Sequence, residues 1–562
     1  MPRAITMING RPAAEVVEAL DLKFSTYQDP DSEWNSQFEN YARPDALSFL
    51  SGTLLSQGPS LTLTYDNGEE RTRDHHAIVR DGANFLNVTN GEDFYNRFCN
   101  PEAAAAAATV GAAATTTTQT TSTATATVAA TPAPTLANFP VPVIRDNGSD
   151  VTAGYFLSGA GYEDVAVLSV LGFSPFATGF GADEYLVNLQ DTVASFLAQC
   201  RQQAKSKLVI DLTANGGGYV VAGYELFAQL FPDADIFQAH NLRLTSSLED
   251  LARLTNALST DVVGEAQNGT AVQQRSLQVL FNSEVLSNLL PGSVYTPADT
   301  NFTSVDEILS PVTLQEDRFT AYQKTPLNQT SETYNLTGTG SKASPPPAVF
   351  LPENVVLLTD GTCGSTCTLF AYLMIMQRDV KTVMVGGRPL TGPVQSVAGV
   401  EGAQVFPLTS LSGAAAAVIA LSDEVKQGEV NGSDLAILAE GYALSRGANP
   451  ANPGAVNGKN AFSPSDARTP LQFSYMPANC RFFYTKDMIY GPTEVWKRAV
   501  DATWKDPQAF CAEGSRMQVD KPDETDPFFR AAVDNAAAPG RGVASLGAAV
   551  WVAALVGLLA LM

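Results

Sequence analysis

Ser365 lies in the run Thr362-Cys363-Gly364-Ser365-Thr366-Cys367, just after Asp360-Gly361 and just before the apolar stretch Leu369-Phe370-Ala371-Tyr372-Leu373-Met374. A serine at a helix start can act as an N-cap, its oxygen accepting a nearby backbone N–H. It can equally attack a carbonyl carbon, if a base takes its proton and neighbouring amides hold the oxyanion. Amides at a helix start have no partner inside the helix, so they are open to that second role. Upstream stands a second glycine turn, Asn215-Gly216-Gly217-Gly218. Three glycines in a row leave the main chain bare, so another backbone can approach its N–H groups. Taken alone the turn is also a flexible loop or a phosphate cradle, but no Gly-Lys-Ser/Thr follows it, as a nucleotide P-loop requires.

Both turns sit between a strand pattern and a helix pattern. Residues 207–212 and 354–359 are short apolar, β-branched runs that end in turn residues, which reads as buried strands. Residues 165–171 form a third such run, and 186–203 have helical character. Further strands are expected at 381–385 and 479–485, with a helix around 494–504. Strands alternating with helices imply an α/β domain with a largely parallel sheet and crossover helices.

The segments KLVIDLTANGGG and TDGTCGSTCTLF, with YEDVAVLSVLGF at 162–173, resemble the hallmark pieces of the tail-specific, or carboxyl-terminal processing, serine peptidase family. The wording is most similar to the fungal-type secreted members, related to the histidine-using protease-like activity factor branch. The resemblance spans about residues 5 to 505, with gaps at 101–137 and 265–345. It implies a crotonase-like ββα spiral core preceded by remnants of a PDZ-like module. Ile5-Thr6-Met7-Ile8-Asn9-Gly10 and the following amphipathic helix would be the last strand and helix of that module. It also implies Ser365 as nucleophile, with oxyanion donors from Gly216, Gly217 and Thr366. Asp211, at the end of its strand, reads as a residue that fixes the turn rather than a reactive one. The activity implied is that of an endopeptidase acting on proteins or peptides, without metal or other cofactor.

The base is the open question. The lysine-using branch carries F-G-K-G-x-V-Q, and the matching segment here is Leu390-Thr391-Gly392-Pro393-Val394-Gln395. Gln395 keeps the supporting glutamine, but Thr391 stands at the lysine, and a hydroxyl is no base near neutral pH. The chain has three histidines, His75, His76 and His240, and none matches the family's histidine segment. The base is therefore expected in a segment ahead of Met1, with the sequence truncated at its N-terminus. Glu424, Asp487 and Glu494 are candidates for the orienting acid, with no ground for choosing. His75-His76 read as part of a solvated edge strand or as a ligand pair, without a third ligand nearby.

With 562 residues, 45% of them hydrophobic, the chain can bury a large core and more than one domain. Its net charge of −24 argues against binding nucleic acid or anionic membranes through bulk electrostatics. The cysteines, Cys99, Cys200, Cys363, Cys367, Cys480 and Cys511, have no zinc-type spacing and leave their pairing open. Sequons at Asn87, Asn147, Asn268, Asn301, Asn328, Asn335 and Asn431 point to N-glycosylation in the secretory pathway. Residues 543–562 are apolar to the end, behind a small-residue site at Asn535 and a short spacer. That pattern reads as a GPI signal or as a tail-anchoring transmembrane helix. The expected organisation is a partial PDZ-like module at 1–100 and a disordered Ala/Thr-rich linker at 101–137. A catalytic core at 138–512 follows, with an insertion at about 265–345, a spacer at 513–542 and the tail at 543–562. The expected protein is a secreted, GPI-anchored surface peptidase, attached to the membrane only through that tail. Two alternatives are a non-catalytic surface binding or adhesion protein on the same fold and an α/β-hydrolase esterase. The esterase lacks its G-x-S-x-G signature around Ser365.

Overall fold

The computed structural model describes residues 3–24, 27–43, 58–75, 88–96, 138–176, 179–327, 334–399, 402–441, 454–489 and 491–517. The Ala/Thr-rich linker, His76, Asn87, Asn328, Cys99, Asn535 and the apolar tail lie outside these residues.

Near the N-terminus, β1 (Ile5–Ile8) and β2 (Arg11–Pro12) lead into helix α1 (Ala13–Phe24). Strands β3 (Ser60–Tyr65) and β4 (Glu70–Asp74) complete a sheet in the order β2-β1-β3-β4. The turn Tyr65-Asp66-Asn67-Gly68 joins β3 to β4, with Gly68 at φ 81° donating to the Tyr65 carbonyl at 2.9 Å. β4 is an exposed edge, and His75 beyond it hydrogen-bonds the Gly58 carbonyl through Nδ1 at 2.7 Å. Ile8, Val17, Leu61 and Leu63 form this module's small core.

Helix α2 (Pro30–Ser36) belongs elsewhere. Asp29 caps it, and Pro30 supplies the fixed φ its first turn needs. The helix docks on the main sheet through side chains that are buried and polar. Asn35 donates to the carbonyls of Asp360 at 2.8 Å and Val385 at 2.9 Å, and its oxygen accepts from the Gly387 amide at 2.7 Å. Asp31 pairs with the fully buried Arg481 at 3.0 Å.

The main sheet has seven strands in the order β16-β13-β12-β8-β7-β6-β5. They are β5 (Ile144–Arg145), β6 (Thr152–Phe156), β7 (Val165–Val170), β8 (Lys207–Asp211), β12 (Val355–Thr359), β13 (Lys381–Val385) and β16 (Cys480–Phe482). β7 through β16 run parallel, while β5 and β6 are antiparallel. The central strands are buried on both faces, which is why they read as unbroken Val/Leu/Ile runs. Helices α3 (Ala182–Gln202), α4 (Val220–Leu230) and α5 (Thr366–Tyr372) cover one face, and Phe196, Phe227 and Phe370 fill that layer. Near the C-terminus, helix α7 (Thr493–Val500) covers the other face, where Trp496 packs with Val167, Val209 and Val356.

The insertion expected at about 265–345 contributes to a helical layer with a core of its own. Helices Ser246–Ala257 and Ala271–Asn282 pack on α6 (Leu408–Leu421) through Leu251, Leu277, Leu280, Ala414 and Val418. Only one narrow stripe of each helix is apolar, so the sequence looks polar until its partner, more than a hundred positions later, is in place. Beside it, β14 (Gln404–Pro407), β15 (Ala455–Ala461) and β9 (His240–Asn241) form a three-stranded sheet. A hairpin of β10 (Val312–Leu314) and β11 (Asp317–Phe319) closes this region. Among the described residues, no helix is long and apolar enough to cross a membrane.

Candidate active site

The parallel register sets the site. Leu358 on β12 lies opposite Asp211 on β8, so both strands end side by side and their turns leave the same edge of the sheet. The turn after β8 is locked by Asn215, whose side chain donates to the Val170 carbonyl at 2.8 Å and accepts from the Gly217 amide at 2.9 Å. Asp360, fully buried at the end of β12, ties the two turns together. One carboxylate oxygen accepts from the Ala214 amide at 3.2 Å, and the other accepts from the Thr362 amide at 3.1 Å and its hydroxyl at 2.6 Å.

The turns meet at Gly217 and Ser365. A methyl group built on Gly217 would lie 2.7 Å from Ser365 Cβ and from the Gly364 carbonyl oxygen, and 2.9 Å from the Thr366 nitrogen. Gly217 also has φ 102°, so both space and backbone demand glycine there. The Gly364 amide donates to the Asn215 carbonyl at 3.2 Å, and Thr366 Oγ1 donates to the Gly218 carbonyl at 2.6 Å.

Ser365 itself is half-buried and adopts φ 52° and ψ −121°, a conformation that L residues with side chains avoid. Its side chain makes no capping bond, so the N-cap reading fails. No described residue hydrogen-bonds its hydroxyl. Strained backbone of this kind clusters at active sites and persists where the surrounding structure over-determines it. A disulfide joins Cys363 to Cys367 across the same turn.

Among the described residues, the Gly216 and Thr366 amides have no hydrogen-bond acceptor. The Gly217 amide is already donated to Asn215, so it serves an oxyanion only if that bond is exchanged. Asp211 takes bonds from Trp496 Nε1 at 2.7 Å, Tyr41 OH at 3.0 Å and the Thr213 amide at 3.0 Å, and burial raises its pKa. It anchors the turn from below. Gln395 accepts from the Met476 amide at 3.2 Å and so braces the segment that leads back to Val397, beside Gly361. Thr391 is exposed on its loop, and His240 is buried under α5 beside Leu369 and Tyr372. Glu494 is exposed and paired with Lys497 at 2.8 Å on the opposite face of the sheet from α5. Asp487 is also exposed. Among the described residues no group of three His, Cys, Asp or Glu is placed to hold a metal ion.

Sequence reasoning missed Asp360, Asn215 and the Cys363–Cys367 pairing. Asp360 carried a usable signal, an acidic residue closing an otherwise apolar strand directly before the nucleophile turn. The role of Asn215 depends on Val170, 45 positions earlier, and leaves no local pattern.

The CPAF-like PDZ domain family matches residues 1–84, and peptidase family S41 matches residues 164–409. The Peptidase S41 family protein ustP of Aspergillus flavus is 29% identical over 67% of this chain and 76% of its own length. The Peptidase S41 family protein phomP1 of Diaporthe leptostromiformis is 26% identical over 89% of this chain and 76% of its own. Among solved structures, mature CPAF aligns at 13% identity and a TM-score of 0.40, over 90% of this chain and 78% of that one. Mature CPAF complexed with lactacystin aligns at 13% identity and a TM-score of 0.39, over 88% and 76%. Residues 164–409 thus match a peptidase domain of family S41, the tail-specific proteases, and residues 1–84 a CPAF-like PDZ module ahead of it.

Proposed function

We propose that this chain is a serine-type endopeptidase of family S41 that cleaves proteins or peptides through an acyl-enzyme on Ser365. The observation that carries the reading is the meeting of Ser365, its hydroxyl uncommitted, with a glycine turn beside two amides that have no acceptor. In this reading Ser365 Oγ attacks the scissile carbonyl carbon and the amides of Gly216 and Thr366 hold the oxygen as it gains charge. The proton leaves Oγ for a base outside the described residues. The amine product departs, and water then releases the acyl group from Ser365.

The test is labelling by a fluorophosphonate probe together with cleavage of casein. Ser365-dependent labelling and turnover, both lost in Ser365→Ala, are expected. Labelling without turnover on a broad peptide library supports the second reading, a surface binding protein on the peptidase fold. That reading draws on the lack of any described partner for the Ser365 hydroxyl.

The same proposal places the protein at the cell surface, secreted and GPI-anchored near Asn535. Support comes from the seven sequons and the apolar C-terminal stretch. Asn147, Asn268, Asn301 and Asn431 are exposed, and Asn335 is half-buried. The disulfides Cys363–Cys367 and Cys480–Cys511 suit an oxidising compartment. Release of the protein from cells by a phosphatidylinositol-specific phospholipase is expected. Retention with the tail still present overturns the lipid anchor.

A further inference from the structure

We infer that the Cys363–Cys367 disulfide is a positioning device for the nucleophile, so that this serine peptidase is silenced by thiol reduction. The inference rests on Ser365 being the nucleophile, as proposed above.

The bond closes a ring around Gly364, Ser365 and Thr366, with the two cysteine Cα atoms 5.4 Å apart. Within that ring Ser365 sits at φ 52° and ψ −121°. A non-glycine residue in such a region costs on the order of 1–3 kcal/mol and persists only where its surroundings over-determine it. The non-covalent ties on the turn are few. They are Gly364 N–H to the Asn215 carbonyl at 3.2 Å, Cys367 N–H to the Gly364 carbonyl at 3.0 Å, and Leu369 N–H to the Ser365 carbonyl at 3.1 Å. The Thr366 hydroxyl bond to the Gly218 carbonyl is the fourth. Within the ring, the Gly364 and Thr366 bonds cross to the glycine turn, and one of those is long; the Asp360–Ala214 bond crosses outside the ring. The covalent link fixes Cys363, two residues before the serine, to the first turn of α5, across the strained backbone of Ser365. Cys363 is further held from outside, its carbonyl accepting from the Gly399 amide at 3.0 Å and the Thr368 hydroxyl at 3.2 Å. Both cysteines are fully buried, so they do not serve as exposed reactive thiols.

Reduction is balanced by a small dithiol. When the turn opens locally and exposes the bond, the reagent's thiolate attacks one sulfur, its second thiol displaces the other, and it leaves as a cyclic disulfide. The two protons it gives up end on Cys363 and Cys367, now thiols. With the ring open, Ser365 relaxes toward ordinary helical or extended backbone and its side chain shifts from its present place against Gly217. A displacement near 1 Å can cost about a hundredfold in rate. The second disulfide, Cys480–Cys511, is an internal control, because it ties β16 to the segment after α7 and touches neither turn.

The experiment uses the full chain in four forms: native, Cys363→Ala/Cys367→Ala, Cys480→Ala/Cys511→Ala, and native treated with dithiothreitol. Fluorophosphonate labelling of Ser365, thermal unfolding and amide exchange at Gly364–Thr366 are measured on each. Opening the first disulfide, by either route, is expected to slow labelling by at least about tenfold while the fold persists. Exchange of the three amides should speed up by a similar factor. The control pair should lower the unfolding temperature and leave labelling within about twofold. A folded Cys363→Ala/Cys367→Ala protein with native labelling and native exchange overturns the inference. If the native protein is not labelled at all, the peptidase reading fails. The exchange comparison then still decides whether the disulfide holds the turn.

Discussion

The Cα of Gly217 faces Ser365 so closely that a single added methyl would stand 2.7 Å from the serine Cβ. Two residues 148 positions apart in sequence are thus packed backbone against side chain, at the edge where β8 and β12 end together.

Gly217→Ala follows directly. The new methyl meets backbone atoms of Gly364 and Thr366 as well as Ser365, so no side-chain rotation relieves it. The positive φ adds about 1–2 kcal/mol of its own. Ser365 must move, and labelling by a fluorophosphonate should fall by about a hundredfold or more. The main sheet, anchored elsewhere, should remain folded by circular dichroism. Native labelling in this variant would mean that the glycine turn does not abut the reacting serine.

Asp360→Asn tests the link between the turns. The described hydrogen bonds to the carboxylate all come from donors, namely the Ala214 amide and the Thr362 amide and hydroxyl. An amide side chain presents a donor to one of them and leaves it unpaired in the core, at a cost of about 1–3 kcal/mol. The loss should appear mainly in kcat, because the turns lose their mutual registration at the nucleophile. An unchanged kcat with a raised KM would assign Asp360 to substrate binding instead.

The strands and both turns were legible because they rest on local rules. The runs at 165–171, 207–212 and 354–359 are strands within a residue of their expected bounds, since a strand buried on both faces shows itself as continuous apolar sequence. Helix α2 was not legible. Its docking groups Asp31 and Asn35 are polar, and they are buried only because Arg481, Gly386 and Gly387, some 350 or more positions later, receive them. Pairing of the cysteines was likewise hidden, because a spacing of four suits a helix face as well as a disulfide across a turn.

Asp31→Ala should be severe and Glu18→Ala mild, although both residues pair with arginine at the same place. Asp31 accepts from the fully buried Arg481 and from Arg388, so its removal strands a charge and should cost about 3–5 kcal/mol. Glu18 meets Arg388 at the surface, 3.1 Å away, and its loss should cost less than about 1 kcal/mol. Denaturant midpoints of the two variants check this. Equal midpoints would remove α2 from the structural core of the peptidase domain.

Lys459 offers a pH-dependent test of the smaller sheet. Its side chain is buried on β15, and burial pushes its pKa down to about 8, with Glu284 opposing the shift. In the unfolded chain a lysine titrates near about 10.4. Below pH 8 the ammonium is present in both states, and folding bears the whole cost of desolvating it. Between the two values only the unfolded chain keeps the proton, so stability rises with pH across that window. Above the upper value the cost is gone. A shift of this size corresponds to on the order of 3 kcal/mol. Lys459→Met keeps the length of the stem and removes the charge, so it should be more stable than the native protein at pH 7. Measured by urea midpoint, that advantage should shrink steadily from pH 8 and be close to nothing near the unfolded value. A variant equally advantaged at both ends of the range would show that the ammonium is solvated in the folded protein. A variant less stable at pH 7 would show that Glu284 more than compensates its burial.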